Sequence, residues 1–148
     1  MLKFQQLGEY ILNRQYEFAK LYYDWIVKCL TKDEQWEVLA YFVLGCELCV
    51  RQKELMSIEW NQIEFPYVNN IRISKVKPTG AVEFYPPKEI SKNTMDLLNK
   101  TWNRRSIKLF NKEQYYYIYR IRESCGDSTF NGHVMRTLGI QFKSNNIN

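Results

Sequence analysis

The segment from Trp36 to Cys46 constrains the fold more than any other, because nearly all of its residues are apolar. Its apolar side chains fall on several sides of a helix rather than on one stripe, and a helix of that kind is buried among other elements. The sequence therefore predicts a central helix that the rest of the chain covers. Gly45, close to its end, would let a neighbouring element approach the backbone.

An amphipathic helix is predicted ahead of this central helix, from about Gly8 to Leu30. The residues of its predicted inner face recur at steps of three and four: Ile11, Gln15, Phe18, Tyr22, Trp25 and Cys29. Between the two helices, Thr31 to Glu34 forms a capping-box pattern, in which the Thr31 hydroxyl would accept a hydrogen bond from the Glu34 amide. On this basis we divide the chain into an N-terminal helix, residues 1–30, and a core, residues 31–148.

Runs of β-forming residues separated by turn residues follow the central helix. They predict strands at Gln62–Tyr67, Ile71–Val76 and Ala81–Tyr85, joined by turns at Asn69-Asn70 and Pro78-Thr79-Gly80. Further helices are predicted at about Ile90 to Trp102, from Lys112 or Glu113 to Glu123, and from Asn131 or His133 onward. The predicted fold class is α+β, mostly α-helical with a small three-stranded antiparallel sheet.

Charge and composition narrow the possible partners. The formal net charge of +5 and the pI of about 9.0 are compatible with a polyanionic partner. The cysteines and the single histidine do not have the spacing of a metal site, so neither a metal nor a cofactor is expected. No apolar run is long enough to span a membrane, and the first residues lack the apolar stretch of a signal peptide. We expect a soluble intracellular protein without a membrane partner, in the cytoplasm or nucleoid, with the nucleus or a virus-infected cell left open.

The segment that follows the central helix contains the pattern R-x-x-E-L. Arg51, Glu54 and Leu55 are three and four residues apart, so they lie along one side of a helical turn. Trp60 and Ile63 come next and are predicted to anchor the segment in the core.

A second informative pattern is H-x-x-R near the end of the chain. His133 and Arg136 are three residues apart at the predicted start of the last helix, so both project from one face of its first turn. Backbone amides at a helix start also favour an anion. This pair is suited to holding a phosphate.

The order of these features resembles the catalytic domain of the tyrosine recombinases, the phage integrase family. An arginine box is followed by a Trp-containing entry into a strand, a lysine on a hairpin and then H-x-x-R, and the resemblance covers about Leu30 to Phe142. It implies the fold of that domain and a role for Glu54 in supporting the Arg51 helix.

The family resemblance also implies a role for each candidate catalytic residue. Arg51 and Arg136 would clamp the non-bridging oxygens of the scissile DNA phosphate, to which guanidinium groups are geometrically matched. His133 would donate a hydrogen bond to that phosphate and take part in proton transfer. Lys77 would be the general acid that protonates the leaving 5′ oxygen, with Lys75 as the competing candidate because Pro78 departs from the usual hairpin tip.

The chain departs from the family at the nucleophile. The family uses a tyrosine well downstream of H-x-x-R, whereas the twelve residues after Arg136 contain neither tyrosine nor histidine. The tyrosines at 115–117 and 119 precede His133 and are in the wrong order for that role. The chain would then be a truncated or split recombinase, a degenerate relative that binds DNA without cutting it, or a protein that receives the tyrosine from another subunit.

The resulting functional hypothesis is a DNA-binding, recombinase-like protein of a phage or mobile element. It would serve site-specific recombination or integration without cleaving DNA alone. Its expected partners are double-stranded DNA and a second copy or a related full-length recombinase. The alternatives are a non-catalytic DNA-binding regulator or accessory protein on the same fold, and a helical protein-interaction module.

Overall fold

The computed structural model describes residues 18–101 and 106–145. Six α-helices lie in this part of the chain: α1 Ala19–Lys32, α2 Trp36–Leu48, α3 Gln52–Met56, α4 Lys92–Thr101, α5 Gln114–Cys125 and α6 Gly132–Asn145. The strands are β1 Ile63–Glu64, β2 Tyr67–Val68 and β3 Lys88–Glu89. The protein is mostly helical with a small three-stranded antiparallel sheet, as the sequence predicted for the fold class.

Helix α2 is the centre of the core. It packs against α1, α4, α5 and α6, and Tyr41, Phe42 and Leu44 have no exposed surface. Gly45 allows the close approach expected of it, since a Cβ added there would lie 2.9 Å from the Met135 Sδ of α6. The prediction of a covered central helix is confirmed.

The predicted capping box between the first two helices is wrong. Helix α1 continues through Thr31 to Lys32, and α2 begins only after Gln35. The chain reverses at Glu34, whose φ is +53°, and the Gln35 amide donates to the Leu30 carbonyl at 3.0 Å. The helix therefore ends two residues beyond its predicted end at Leu30, which is buried. The predicted positions before Phe18 lie outside the described residues.

The sheet has the predicted number of strands but not the predicted location. Strand β1 falls inside the first predicted strand, and β2 begins at its last residue, Tyr67. The chain reverses at Phe65-Pro66 and pairs Ile63 with Val68. The third strand follows Pro86-Pro87, which we interpreted as the end of the sheet, and pairs Lys88 with Val68.

The segment 71–85, predicted to hold two strands, forms a hairpin with a single isolated bridge, between Arg72 and Phe84. The Ile73 amide donates to Glu83 at 2.9 Å, but the next amide, of Ser74, donates to the Glu54 carboxylate at 2.6 Å. Because alternate residues of an antiparallel strand turn their amides away from the partner strand, the Ser74 amide is free to join the outer edge of the hairpin to Glu54. We refer to this segment as the 71–85 hairpin.

The last two described helices match their predicted positions. Helix α6 crosses α2 closely at Gly139, where an added Cβ would overlap the Cys46 carbonyl oxygen. This contact gives the physical reason for a glycine inside a helix, where it otherwise costs about 1 kcal/mol relative to alanine.

A buried hydrogen bond joins the first described helix to the loop before the last. The Tyr22 hydroxyl donates to Asp127 Oδ2 at 2.6 Å, and neither residue has exposed surface. Burial, with the neighbouring Asp127 carboxylate, raises the pKa of Tyr22 far above its ordinary value, so the hydroxyl stays protonated. The Trp25 indole donates a second hydrogen bond from α1, to the Cys125 carbonyl at the end of α5, at 3.2 Å.

Candidate functional site

An open cleft of about 440 Å³ lies where three helices begin. The start of α3 contributes Arg51, Gln52 and Lys53, the start of α5 contributes Gln114, and the start of α6 contributes Gly132, His133 and Arg136. No carboxylate lines this cleft in the described part of the chain. Three of the four residues proposed from the sequence therefore share one basic concavity: Arg51, His133 and Arg136.

The start of α6 is fixed by bonds to the loop before it. The Asn131 side chain accepts a hydrogen bond from the His133 amide at 2.9 Å, as an N-cap residue does. The Arg122 Nε of α5 donates to the Phe130 carbonyl at 2.7 Å. These bonds hold His133, which is exposed, and Arg136, which is half-buried, on the first turns of the helix.

Helices α3 and α6 touch at the floor of the cleft. A Cβ added at Gly132 would overlap the side-chain oxygen of Gln52, so the contact requires a residue without a side chain. Because Gln52 follows Arg51 directly, this contact keeps Arg51 beside the first turn of α6.

The turn that carries Arg51 begins with a change of backbone direction. Cys49 adopts a left-handed conformation with φ +57° at the end of α2, and Arg51 is extended at the start of α3. The Arg51 amide donates to Glu54 Oε1 at 2.8 Å, and the Arg51 Nη1 lies 3.5 Å from Glu54 Oε2. Leu55, which is buried, anchors the turn in the core.

Glu54 connects this turn to the 71–85 hairpin. Its carboxylate also accepts hydrogen bonds from the Ser74 amide at 2.6 Å, the Ser74 hydroxyl at 3.0 Å and the Tyr85 hydroxyl at 2.7 Å. Burial alone raises the pKa of Glu54, but the bonds from Ser74, Tyr85 and the Arg51 amide outweigh burial and hold the pKa below its usual value. Glu54 is therefore ionised, and it holds Arg51 in place through the bond to its amide and the contact with its guanidinium group.

Arg136 retains unused hydrogen-bonding capacity. Its Nε is buried, and no residue of the ranges 18–101 and 106–145 accepts a hydrogen bond from it. A buried donor without an acceptor costs about 1–3 kcal/mol, which an anion in the cleft would offset.

The electrostatics of Tyr85 place both arginines close to the Glu54 network. Burial and the bond to Glu54 raise the pKa of Tyr85, whereas the charges of Arg136 and Arg51 lower it. The two guanidinium groups therefore act on the same small region, from two different helices.

Lys77, the fourth proposed residue, does not line the cleft. It forms an ion pair with Glu83 across the 71–85 hairpin, and its carbonyl accepts the Gly80 amide at 2.8 Å in the turn. Lys75 is exposed on the same hairpin. The hairpin tip is thus anchored to the site through Ser74 and Glu54, while neither lysine reaches the lining of the concavity.

None of the tyrosines in the described part of the chain lines the cleft. Tyr117 is buried, stacks on Tyr41 with ring centroids 4.4 Å apart and donates to the Glu37 carboxylate at 2.9 Å. Tyr115 and Tyr119 form an exposed stacked pair on α5. Their packing agrees with the structural role expected from the aromatic-rich helix.

No family model and no curated protein matches this chain. Among residues 18–101 and 106–145, no three His, Cys, Asp or Glu side chains are arranged to hold a metal ion. Within the same ranges, every helix is too short or too polar to cross a membrane.

Sequence reasoning missed several lining residues. Lys53 adjoins Arg51 and Gln52, so its position beside the site follows from theirs. Gln114 and Gly132 become part of the cleft only because the starts of α5 and α6 meet α3. That meeting depends on long-range packing and leaves no local signal in the sequence.

Proposed function

We propose that this cleft binds a backbone phosphate of double-stranded DNA, and that the protein is a DNA-binding relative of the tyrosine recombinases, which act in site-specific recombination or integration. The observation that supports the proposal most directly is the convergence of Arg51, His133 and Arg136 on one concavity without a carboxylate. These are the residues that the resemblance assigns to the scissile phosphate, and they come from two segments that are far apart in the sequence.

The chemistry of the lining suits a phosphate. Guanidinium groups match phosphate oxygens with two parallel hydrogen bonds. The starts of α5 and α6 add the positive end of the helix dipole. Arg51 and Arg136 approach from different helices, so together they would contact separate oxygens of one phosphate.

The proposed activity stops at binding and polarising the phosphate. Strand cleavage also requires a nucleophile, and no tyrosine is among the lining residues. In this proposal a second copy or a full-length recombinase would deliver the nucleophile, and the protein alone would bind DNA as an accessory or regulatory factor does.

Arginine variants test the phosphate clamp. Arg51→Ala and Arg136→Ala should each weaken duplex binding by about 10-fold to 100-fold, because each removes charge-assisted bonds to one phosphate. Binding is measured by fluorescence anisotropy with a labelled duplex over a series of salt concentrations. Lys20→Ala and Lys92→Ala are the controls, since both lysines are exposed in ion pairs within single helices. Equal losses in arginine and lysine variants would contradict the clamp.

Covalent chemistry is tested separately. The protein is incubated with supercoiled and nicked DNA and examined on a denaturing gel for protein–DNA adducts. Binding without an adduct supports a non-cleaving DNA-binding protein. An adduct would show that a tyrosine of this chain acts as nucleophile, and absence of both binding and adduct would favour a protein-interaction module.

A further inference from the structure

Two lysines beside the cleft have no acidic partner. Lys88 is half-buried on β3, and Lys143 is exposed on the last turns of α6. Like most lysines in the described ranges, neither forms an ion pair there. Neither lysine lines the cleft, so the proposed phosphate site does not account for them.

A chain of contacts places Lys88 close to Arg51. Its Nζ lies 4.8 Å from the centre of the Tyr85 ring. The Tyr85 hydroxyl is 2.7 Å from Glu54 Oε1, and Glu54 Oε2 is 3.5 Å from Arg51 Nη1. Tyr85 and Glu54 therefore connect the two cations through these contacts. The Glu54 oxygens already bond to Arg51, Ser74 and Tyr85.

Helix geometry places Lys143 on the same side of α6 as Arg136. The two are seven residues apart, which corresponds to two turns and about 10 Å along the helix. Gly139 lies between them, and a Cβ added there would overlap both the Cys46 carbonyl and the Cys49 sulfur. This side of α6 therefore faces the end of α2, next to the turn that carries Arg51.

The three cations Lys88, Arg136 and Lys143 all act on Cys49, at the end of α2. Burial raises the pKa of Cys49, while the charges of Lys143, Lys88 and Arg136 all lower it. The pKa of Lys88 lies below its usual value because of burial and of its positive neighbours Lys143 and Arg136. Mutual repulsion of these cations is a cost that an anion between them would relieve.

We infer that Lys88 and Lys143 form a second phosphate-binding subsite beside the cleft, so that the protein binds an extended phosphodiester chain rather than an isolated phosphate. The inference rests on the proposed function, because the cleft with Arg51 and Arg136 is the first subsite. A single phosphate group does not span the ~10 Å between Arg136 and Lys143, whereas successive phosphates of one DNA strand do.

The test uses the full chain with Lys88→Gln and Lys143→Gln combined. Duplex binding should weaken by about 10-fold to 100-fold at low salt. The slope of log affinity against log salt should fall by roughly 1.8, since about 0.9 is lost for each phosphate contact. The matched control is Lys28→Gln with Lys32→Gln, which removes the same charge from exposed positions of α1.

A second measurement detects phosphate binding in the cleft alone. His133 is the only histidine of the chain, so its ring signals in an NMR spectrum report on the first subsite without ambiguity. Titration with inorganic phosphate should shift these signals equally in the wild type and in the doubly substituted lysine variant. The shift should be lost in Arg136→Ala.

The outcomes separate the two proposals. If the wild type binds duplex DNA and the Lys88/Lys143 variant binds within the range of the control, the second subsite is overturned and the proposed function stands. If the wild type binds neither duplex nor phosphate, both are overturned.

Should the double variant fail to fold by circular dichroism, Lys143→Gln alone is used. It changes an exposed side chain, and an unchanged salt slope in it would also overturn the subsite.

Discussion

Glu54 joins the turn that carries Arg51 to the 71–85 hairpin through a carboxylate without exposed surface. It accepts backbone and side-chain hydrogen bonds from segments that are twenty to thirty-one residues away. A single side chain thus determines the position of a proposed phosphate ligand, although it does not line the cleft itself.

Substitution of Glu54 by glutamine tests this role. The amide keeps the shape but turns one acceptor into a donor facing other donors, so the free energy of unfolding should fall by about 2–3 kcal/mol. Urea denaturation measures the change. Glu64→Gln, at an exposed position of β1, is the control and should change the stability by less than about 0.5 kcal/mol.

The role of Glu54 also predicts how the stability of the wild-type protein depends on pH. The pKa of Glu54 is lowered in the folded state, so its contribution to stability is complete above the unfolded pKa of about 4.3 and is lost as the pH falls through the folded value. Wild-type protein should therefore lose more stability than Glu54→Gln as the pH is lowered below about 4.3. Parallel pH profiles for the two proteins would contradict this assignment.

The packing of α6 on α2 determines where the second half of the site lies. The two helices approach closely at Gly139 and again at Gly45, but the neighbours differ. Gly139 faces the backbone carbonyl of Cys46, while Gly45 faces the flexible side chain of Met135. Backbone cannot move aside without shifting the whole helix, so the Gly139 contact fixes the spacing of α6 more firmly.

Alanine at these two positions should therefore have unequal effects. Gly139→Ala should destabilise the fold by about 1–3 kcal/mol, because the overlap with backbone exceeds the gain in helix propensity. Gly45→Ala should cost less than about 1 kcal/mol, because the Met135 side chain can rotate away. Thermal unfolding of both variants gives the comparison, and equal melting temperatures would show that α6 adjusts freely.

The elements themselves were predictable to different degrees. Helix α2 could be located because nearly all of its residues are apolar, and α5 and α6 were predicted close to their observed positions. The end of α1 was missed at Thr31, since the reversal at Glu34 has no glycine to mark it. The second and third strands were misplaced because the 71–85 hairpin contains only one isolated bridge, while the regular ladder forms between residues 63–64, 67–68 and 88–89, which tertiary contacts bring together.

At the scale of the whole molecule, the site joins segments that are far apart in the sequence. The patterns at Arg51 and at His133–Arg136 could be found from local spacing, and their convergence follows from the packing of α3 on α6. Lys88, Gln114 and Gly132 could not be assigned to this region from the sequence, because their neighbours are set by contacts across the fold.

The buried Tyr22–Asp127 bond is a further long-range tie and permits a global test. Tyr22→Phe should lower the free energy of unfolding by about 1–3 kcal/mol, since it leaves a buried carboxylate with one donor fewer. DNA affinity should not change, because neither residue lines the cleft. Tyr23→Phe is the control, because it removes a hydroxyl from a half-buried ring of the same helix. A loss of affinity in Tyr22→Phe would show that α1 contributes to binding.

The hydrogen bonds of the Glu54 carboxylate also affect the rate of amide hydrogen exchange at Ser74. The Ser74 amide can exchange with solvent only when its bond to Glu54 opens, and Glu54 is at the same time bonded to the Arg51 amide. An anion that immobilises Arg51 would make that opening rarer. Binding at the cleft would therefore slow exchange at Ser74, on a hairpin that the anion does not touch, and the exchange rate of one remote amide would report occupancy of the cleft.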